Sequence, residues 1–206
     1  MAAESTLRDE PLPPTAVHLC VDMQRLFGPG TEWALSWMPR VLPEIVLLCE
    51  LAPERTIFTR FIPARRPGEG QGTWRRYYRR WESMTIEAIG ADMVELMPEL
   101  ARYVPPAETI DKHVYSPWWG TDLLQRLRDR QSDTLVVSGG ETDMCVLATI
   151  LGAVDLGFRT VLVRDAVCSS SDESHESMLE LFGSRYGQHV EVGTSEMVSE
   201  LWRVER

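Results

Sequence analysis

The sequence lacks closely spaced cysteines. Its four cysteines, Cys20, Cys49, Cys145 and Cys168, are spread over 206 residues and form no CxxC pair. Disulfide frameworks and zinc knuckles both need cysteines at short, regular spacings, so the sequence indicates neither of them. Isolated thiols fit a reducing compartment, and we expect a cytoplasmic protein.

Long apolar runs and an excess of basic residues are also missing. No stretch approaches the roughly 20 apolar residues that cross a bilayer, and no membrane association is expected. The chain has 21 lysines and arginines against 31 aspartates and glutamates, for a net charge of −10. Because binding to nucleic acid requires a net basic face, this charge argues against a nucleic-acid partner.

The first fifteen residues have acidic residues and prolines instead of the basic and then apolar pattern of a signal peptide. We expect a flexible N-terminal tail over residues 1–15. The remaining residues, 16–206, have the length and the apolar content of a single domain.

Spacings typical of dinucleotide and metal sites are absent as well. The pair Gly139-Gly140 is not part of a GxGxxG motif, which would bring a helix onto a pyrophosphate. The four histidines, at positions 18, 113, 175 and 189, are scattered without ligand spacing. We therefore predict neither a cofactor nor a metal.

Short apolar segments typical of buried strands alternate with amphipathic segments typical of helices. The predicted strands cover residues 16–21, 55–61, 109–115, 135–137, 159–163 and 189–192. The main predicted helices cover residues 43–51, 122–130, 146–154 and 173–182, with one more at the C-terminus. This alternation predicts an α/β fold: a three-layer αβα sandwich, Rossmann-like, around a six-stranded parallel sheet.

The segment from Thr134 to Thr149 predicts a strand, a tight turn and a helix. Cys145 falls in the first helical turn, where free backbone N–H groups and the helix dipole favour a thiolate over a thiol. The segment is equally compatible with a small buried residue that fills the seam between helix and sheet.

Two further polar residues stand where predicted strands end. Asp22 follows the first strand, although capping a turn is a common role for aspartate. Lys112 lies near the end of the third strand, where a lysine is usually only solvated. Together with Cys145 they mark the carboxyl edge of the sheet, where open parallel sheets bind ligands. A carboxylate can accept the proton of a thiol, and an ammonium stabilises both resulting anions.

A basic and aromatic segment over residues 65–81 stands out in this acidic chain. Arginine and aromatic residues are favoured at interfaces, so this segment could be a solvated face or a contact between subunits. Alternatively, it could be a lid that presents arginines to an anionic substrate.

Four motifs occur in order along the chain. They are Val21-Asp22-Met23-Gln24, then Lys112 with Tyr115-Ser116 and Thr121-Asp122-Leu123, then the octapeptide of residues 139–146, and finally Asp165-Ala166 with a serine-rich turn. In this order the sequence resembles the isochorismatase-like cysteine hydrolases, which include nicotinamidase, N-carbamoylsarcosine amidase and ureidoacrylate amidohydrolase. The resemblance covers nearly the whole chain.

The resemblance implies a role for each candidate residue. The family's catalytic triad falls on Asp22, Lys112 and Cys145, and its sheet has six parallel strands. It also implies a cis peptide between Gly140 and Glu141, with the amides of Glu141 and Cys145 as the oxyanion hole. In the implied mechanism the Cys145 thiolate attacks a carbonyl, Asp22 transfers protons, and water hydrolyses a thioester.

The sequence departs from the nicotinamidase branch at one place. Nicotinamidases carry Asp-x-His and a further histidine after the second strand to bind a metal. This chain has Arg60-Phe61-Ile62-Pro63 there. The departure argues against a metal and against nicotinamide as the substrate.

These observations predict a metal-free amidohydrolase that cleaves a small carboxamide or carbamoyl compound. Trp33, Phe61, Trp118 and Trp119 are the pocket candidates because they lie next to the triad segments, and Tyr115 and Ser116 are candidates for polar contacts. Two alternatives stay open: a vinyl ether hydrolase of the isochorismatase type, which releases pyruvate, and a non-catalytic binding protein with the same fold. The resemblance also suggests a homodimer or homotetramer.

Overall fold

A computed structural model describes residues 5–202 of the chain. Apolar, largely β-branched runs form six strands. They are β1 (Val17–Val21), β2 (Thr56–Phe61), β3 (Glu108–Lys112), β4 (Thr134–Gly140), β5 (Arg159–Cys168) and β6 (Val190–Gly193). Every neighbouring pair is parallel, and the strand order is β3-β2-β1-β4-β5-β6. The predicted six-stranded parallel sheet is confirmed.

Helices connect the strands and cover the sheet. They are α1 (Met38–Leu51), α2 (Trp74–Arg80), α3 (Ile86–Ile89), α4 (Pro98–Ala101), α5 (Leu123–Asp129), α6 (Leu147–Asp155), α7 (Asp172–Ser184) and α8 (Ser195–Leu201). A π-helical turn, Thr142–Val146, precedes α6. Side chains cap the N-termini of the last two helices, α7 and α8. The Ser171 hydroxyl accepts a hydrogen bond from the Ser174 amide, and the Thr194 hydroxyl accepts one from the Met197 amide.

Side chains alternate between two cores because a strand has a period of two. In β1, Val17, Leu19 and Val21 face the core formed with α5, α6 and α7, whereas Cys20 faces the core formed with α1 and α8. His18 also lies inside β1, fully buried, with its Nε2 2.7 Å from Ser138 Oγ. Burial lowers its pKa to about 3, so it stays neutral. A helical layer therefore covers each face of the sheet.

Several element boundaries differ from the sequence prediction. Helix α1 begins at Met38, and Pro43 lies inside it instead of at its first turn. Strand β3 ends at Lys112 and does not continue to Tyr115. The pair Gly139-Gly140 was expected to break the strand, yet it forms the end of β4.

Part of the predicted flexible tail packs on the domain. The Thr6 amide donates to the Val192 carbonyl at 2.9 Å, the Arg8 amide donates to Glu191 Oε2 at 3.1 Å, and Leu12 is buried. Residues 1–4 of the predicted tail and residues 203–206 of the predicted domain lie outside the described residues. The segment 5–12 thus lies along β6 and adjoins the core.

Across residues 5–202, no helix is both long enough and apolar enough to cross a membrane.

Gly139 allows β4 to approach β1 closely. It pairs with Val21 and has a φ of +108°, a region that favours glycine. A Cβ at this position would overlap the Val21 carbonyl oxygen and lie 2.6 Å from the Val21 nitrogen. Both obstacles are backbone atoms of a buried strand, so the approach depends on the missing side chain.

We expect Gly139→Ala to destabilise the fold strongly. Gly157→Ala is the matched control: Gly157 also has a positive φ, +84°, but nothing lies within 4 Å of an added Cβ. The control should lose about 1 kcal/mol of unfolding free energy from conformation alone. Gly139→Ala should lose about 2 kcal/mol or more beyond that because it adds overlap. Urea unfolding measures the unfolding free energy of both variants. Equal losses in Gly139→Ala and Gly157→Ala would contradict the close approach of β4 to β1 as the cause.

Candidate active site

The strand order of the sheet has a topological switch point between β1 and β4, which are neighbours at its centre. From β1 the chain proceeds outward to β2 and β3, and from β4 it proceeds outward to β5 and β6. A crevice opens at the carboxyl ends of strands at such a switch point. Asp22 follows β1, and the π-helical turn that carries Cys145 follows β4. The topology alone therefore brings these two residues together.

Lys112, the last residue of β3, reaches the same crevice with its long side chain. Its Nζ lies 5.1 Å from the centre of the Phe61 ring, at the end of the intervening strand β2. It lies 2.6 Å from Asp22 Oδ2 and donates to Cys145 Sγ at 3.3 Å and to the Val114 carbonyl at 3.2 Å. The structure thus brings together all three residues of the predicted triad, and each of them is buried.

Asp22 is held by β2 as well as by Lys112. Its backbone has a φ of +51°, and its amide donates to the Thr59 carbonyl at 3.2 Å. Thr59 Oγ1 donates to Asp22 Oδ1 at 2.6 Å. No other donor among residues 5–202 makes a hydrogen bond to Oδ2, the oxygen that faces Lys112. One carboxylate oxygen is therefore fixed by a threonine, and the other is available to accept a proton.

Cys145 lies in the π-helical turn, not in the first turn of an α-helix as predicted. The turn is anchored on both sides: Thr142 Oγ1 donates to the Cys168 carbonyl at 3.1 Å and lies 2.9 Å from His175 Nδ1. The Cys145 carbonyl accepts the Thr149 hydroxyl at 2.7 Å. The thiol therefore occupies a position that β5, α6 and α7 jointly determine.

The peptide between Gly140 and Glu141 is cis, and Glu141 lies between β4 and the π-helical turn. Its carboxylate Oε1 accepts the Ser170 amide at 3.2 Å. Glu141 and Cys145 line the same cavity.

The resting charges differ from the thiolate that the sequence favours. Burial raises the pKa of the Cys145 thiol well above its ordinary value; the charge of Asp22 acts in the same direction, and Lys112 acts against both. Burial acts to lower the pKa of Lys112, but the charge of Asp22 and the hydrogen bonds to Asp22 and Cys145 outweigh it and raise that pKa. The free site thus holds a protonated thiol beside a charged lysine.

A cavity of about 330 Å³ opens above the thiol. Its walls come from the segment after β1, from the end of β2, from α2, from the segment after β3 and from the π-helical turn. The lining residues are Phe27, Glu32, Trp33, Phe61, Tyr77, Trp81, Tyr115, Glu141, Asp143, Met144, Cys145 and Ser170.

Three of the predicted pocket residues, Trp33, Phe61 and Tyr115, line this cavity. Ser116, Trp118 and Trp119 do not. Ser116 Oγ accepts the Trp118 amide at 3.3 Å, and the Trp118 indole donates to the Thr149 carbonyl of α6 at 2.8 Å. Trp119 is 77% exposed and faces a separate groove. The chain turns outward after Tyr115, which proximity in sequence to Lys112 does not reveal.

The sequence prediction missed several lining residues, most clearly Tyr77 and Trp81. Their spacing of four residues, from within α2 to its C-terminal end, places both on one helical face, which is the signal that could have identified them. The arginines of α2 are exposed and none of them lines the cavity, contrary to the lid with arginines facing a substrate. Instead, α2 presents aromatic rings to the cavity.

The structure describes no metal site in residues 5–202: no group of three or more His, Cys, Asp and Glu side chains is placed to hold an ion. At the place where nicotinamidases carry their metal motif, Arg60 pairs with Asp111 at 2.7 Å and with Glu95 at 2.9 Å. An ion pair therefore occupies this strand end.

Comparison with known proteins places this geometry in a family. The chain matches the isochorismatase domain over residues 16–194. It is 35% identical over 99 residues to the isochorismatase family protein YwoC of Bacillus subtilis, a match that covers 48% of this chain and 51% of that protein. It is 34% identical over 104 residues to maleamate amidohydrolase of Pseudomonas putida, covering 48% and 49% of the two chains. The chain spans about half the length of these curated relatives.

Solved structures share the fold over a longer range. A cysteine hydrolase from Pseudomonas syringae superimposes with a TM-score of 0.81 at 24% sequence identity, covering 97% of each chain. The six-stranded sheet and its switch point both lie within residues 16–194, the range that matches the family. The chain therefore belongs to the isochorismatase family.

Proposed function

We propose that this protein is a cysteine-dependent amidohydrolase that cleaves the C–N bond of a small carboxamide or carbamoyl compound. One observation carries the proposal: a single buried ammonium, that of Lys112, lies 2.6 Å from the Asp22 carboxylate and 3.3 Å from the Cys145 thiol. A nucleophile, a base and a cation that stabilises both anions are thereby in contact beneath a cavity of substrate size.

Asp22 is the proposed general base. Because the resting thiol is protonated, its proton must leave as the sulfur attacks, and Asp22 Oδ2 has the free lone pair to accept it. The Sγ–C bond forms and the carbonyl oxygen becomes an oxyanion. Lys112 stays charged throughout and is the counterion of whichever anion is present.

The proposed cycle continues with departure of the amine. The C–N bond breaks as Asp22 returns the proton to the nitrogen, which leaves a thioester on Cys145. Water then attacks the thioester carbon, Asp22 accepts the proton of the water, and the C–S bond breaks. The released thiolate takes that proton back, so the products are a carboxylic or carbamic acid and ammonia or an amine, and the enzyme is regenerated.

The backbone amides of Glu141 and Cys145 are the proposed oxyanion hole. Both residues belong to the segment that connects β4 to α6, and both line the cavity at its base. Amides held by such an anchored turn need no rearrangement as charge develops on the carbonyl oxygen. The name of one relative, maleamate amidohydrolase, also supports amide hydrolysis.

Different features of the site disfavour each of the two alternatives. A vinyl ether substrate of the isochorismatase type is a dianion, whereas this cavity is lined by Glu32, Glu141 and Asp143 and by no arginine or lysine. A binding protein would not need the buried ion pair of Lys112 and Asp22 beside a buried thiol, because burying two charges is costly. The homo-oligomer and the cytoplasmic location stay predictions.

We expect Cys145→Ala and Cys145→Ser to lose turnover by at least about a thousandfold, because neither retains the thiol that forms the thioester. An ammonia-release screen over small amides, ureas and carbamates identifies a substrate and then measures the loss. Cys49→Ala is the matched control: this buried cysteine of α1 faces the opposite core and should keep native turnover. Full turnover by Cys145→Ala would refute the proposal.

Asp22→Asn should change turnover and thiol reactivity in opposite directions. Turnover should fall by about a hundredfold or more, since the base is lost. Iodoacetamide should alkylate Cys145 faster, because the carboxylate charge that raises the thiol pKa is gone and Lys112 remains to stabilise a thiolate. In the native protein, alkylation should continue to accelerate above the pH at which an ordinary thiol ionises.

Mass spectrometry of the Cys145 peptide at fixed pH gives the alkylation rate. Asp111→Asn is the matched control, because this carboxylate precedes Lys112 in the chain but is exposed and pairs with Arg60. Asp111→Asn should leave both the turnover and the alkylation rate of Cys145 unchanged. A parallel loss of turnover and alkylation in Asp22→Asn would contradict a protonated resting thiol.

A further inference from the structure

The lining of the cavity is both aromatic and acidic. Six aromatic and three acidic residues line it, and no lysine or arginine of residues 5–202 does. The aromatic residues are Phe27, Trp33, Phe61, Tyr77, Trp81 and Tyr115. The carboxylates are Glu32, Glu141 and Asp143. Neither the amide chemistry nor the triad requires this combination.

Trp33 lies at the centre of the aromatic wall. Its ring centre is 6.0 Å from that of Phe27, 6.1 Å from Phe61, 5.9 Å from Tyr77 and 6.0 Å from Trp81. Rings at these separations pack against each other, and such aromatic pairs are mutually stabilising. The wall is therefore preorganised, and the electron-rich faces of such rings attract cations.

The three carboxylates are not neutralised by the protein. Within the described part of the chain, none of them forms an ion pair with a lysine or an arginine. Asp143 Oδ1 accepts the Ser169 hydroxyl at 2.5 Å, and Glu141 Oε1 accepts the Ser170 amide. Glu32 is exposed at the rim. These neutral donors orient Asp143 and Glu141 without supplying a positive charge, and burial raises the pKa of Glu141, so the charge rests chiefly on Asp143 and Glu32.

No lysine or arginine that the structure describes lines the cavity together with these acidic residues; Arg76 and Arg80 line an adjoining groove, which shares Tyr77 and Tyr115 with the cavity. The Lys112 side chain is fully buried and paired with Asp22. The arginines of α2 are exposed, and none of them contributes to the lining. An anionic substrate would therefore enter against like charges, whereas a cationic one would meet both opposite charge and aromatic faces.

We propose that the physiological substrate is a small amide whose acyl part carries a positive charge, such as a quaternary or protonated amine, bound between the aromatic wall and the carboxylates. This inference rests on the proposed amidohydrolase function, since it assigns the substrate class of the same cavity. The amide would lie over Cys145, and the cationic group would lie against Trp33, Tyr77 and Trp81, with Glu32 and Asp143 as its counterions. A volume of about 330 Å³ limits the ligand to a small molecule.

A matched pair of amides isolates the charge. (Trimethylammonio)acetamide and 3,3-dimethylbutanamide have the same shape and differ only in a nitrogen cation replaced by carbon. Titration calorimetry with the Cys145→Ala protein measures their binding without turnover. We expect the cation to bind at least about tenfold more tightly than its neutral isostere, and anionic succinamate to bind more weakly than both. Equal affinities for the matched pair would overturn the inference.

Carboxylate variants test the origin of the preference. In the Cys145→Ala background, Glu32→Gln and Asp143→Asn should each reduce the affinity ratio of cation to isostere by about threefold or more. Glu82→Gln is the matched control, because Glu82 follows Trp81 but is exposed and does not line the cavity. It should leave the ratio unchanged. Thermal unfolding confirms that each variant folds, and ratios unaffected by both cavity variants would contradict the assigned counterions.

Turnover by the native protein separates the two proposals. Ammonia release from (trimethylammonio)acetamide with a higher kcat/KM than from the isostere supports both. The positive charge itself changes how readily the amide is hydrolysed. Comparing the ratio of kcat/KM for cation and isostere between native protein and Glu32→Gln removes this intrinsic effect. Turnover of neutral amides without any cation preference overturns the substrate class and leaves the amidohydrolase. Selective binding of the cation without hydrolysis of any amide would overturn the amidohydrolase proposal and leave a site that prefers cations.

Discussion

The site depends on one buried ion pair, that between Lys112 and Asp22, whose side chains are both fully inaccessible. Removing two charges from water costs several kcal/mol for each ion, which only close contact and further hydrogen bonds can offset. The fold supplies those bonds from separate elements: Thr59 of β2 donates to the carboxylate, and the Val114 carbonyl and the Cys145 sulfur accept from the ammonium. The ends of β1, β2 and β3 are thereby joined to the π-helical turn.

The same ion pair determines how reactive the thiol is. A carboxylate close to a buried sulfur opposes a second negative charge, so the thiol keeps its proton in the free protein. In the proposed mechanism the charge moves from Asp22 through the sulfur to the carbonyl oxygen, while Lys112 stays in place. The number of negative charges near the lysine then stays constant, and little reorganisation is needed at each step.

The six strands and the meeting of Asp22, Lys112 and Cys145 at one sheet edge were predictable because they depend on local pattern and topology. Apolar runs identified β1 to β6, and polar residues at strand ends pointed to Asp22 and Lys112. The start of α1 and the π-helical turn were not predictable, since packing across the sheet and contacts with Cys168 and His175 decide them. The wall formed by Tyr77 and Trp81 depends on how α2 docks, which is a tertiary property. For the same reason Trp118, although near Lys112 in sequence, lies outside the cavity.

Trp118 links the segment after β3 to helix α6. Its indole packs so closely on Gly152 of α6 that a Cβ there would overlap the ring, and it donates to the Thr149 carbonyl of the same helix. The segment that follows Lys112 is thereby fastened to the helix that follows Cys145, away from the cavity. This brace between the two segments lies outside the cavity lining. Wall residues such as Trp33 and Glu32 take no part in this brace, so the contact that supports the reacting groups is separate from the residues that would meet a substrate.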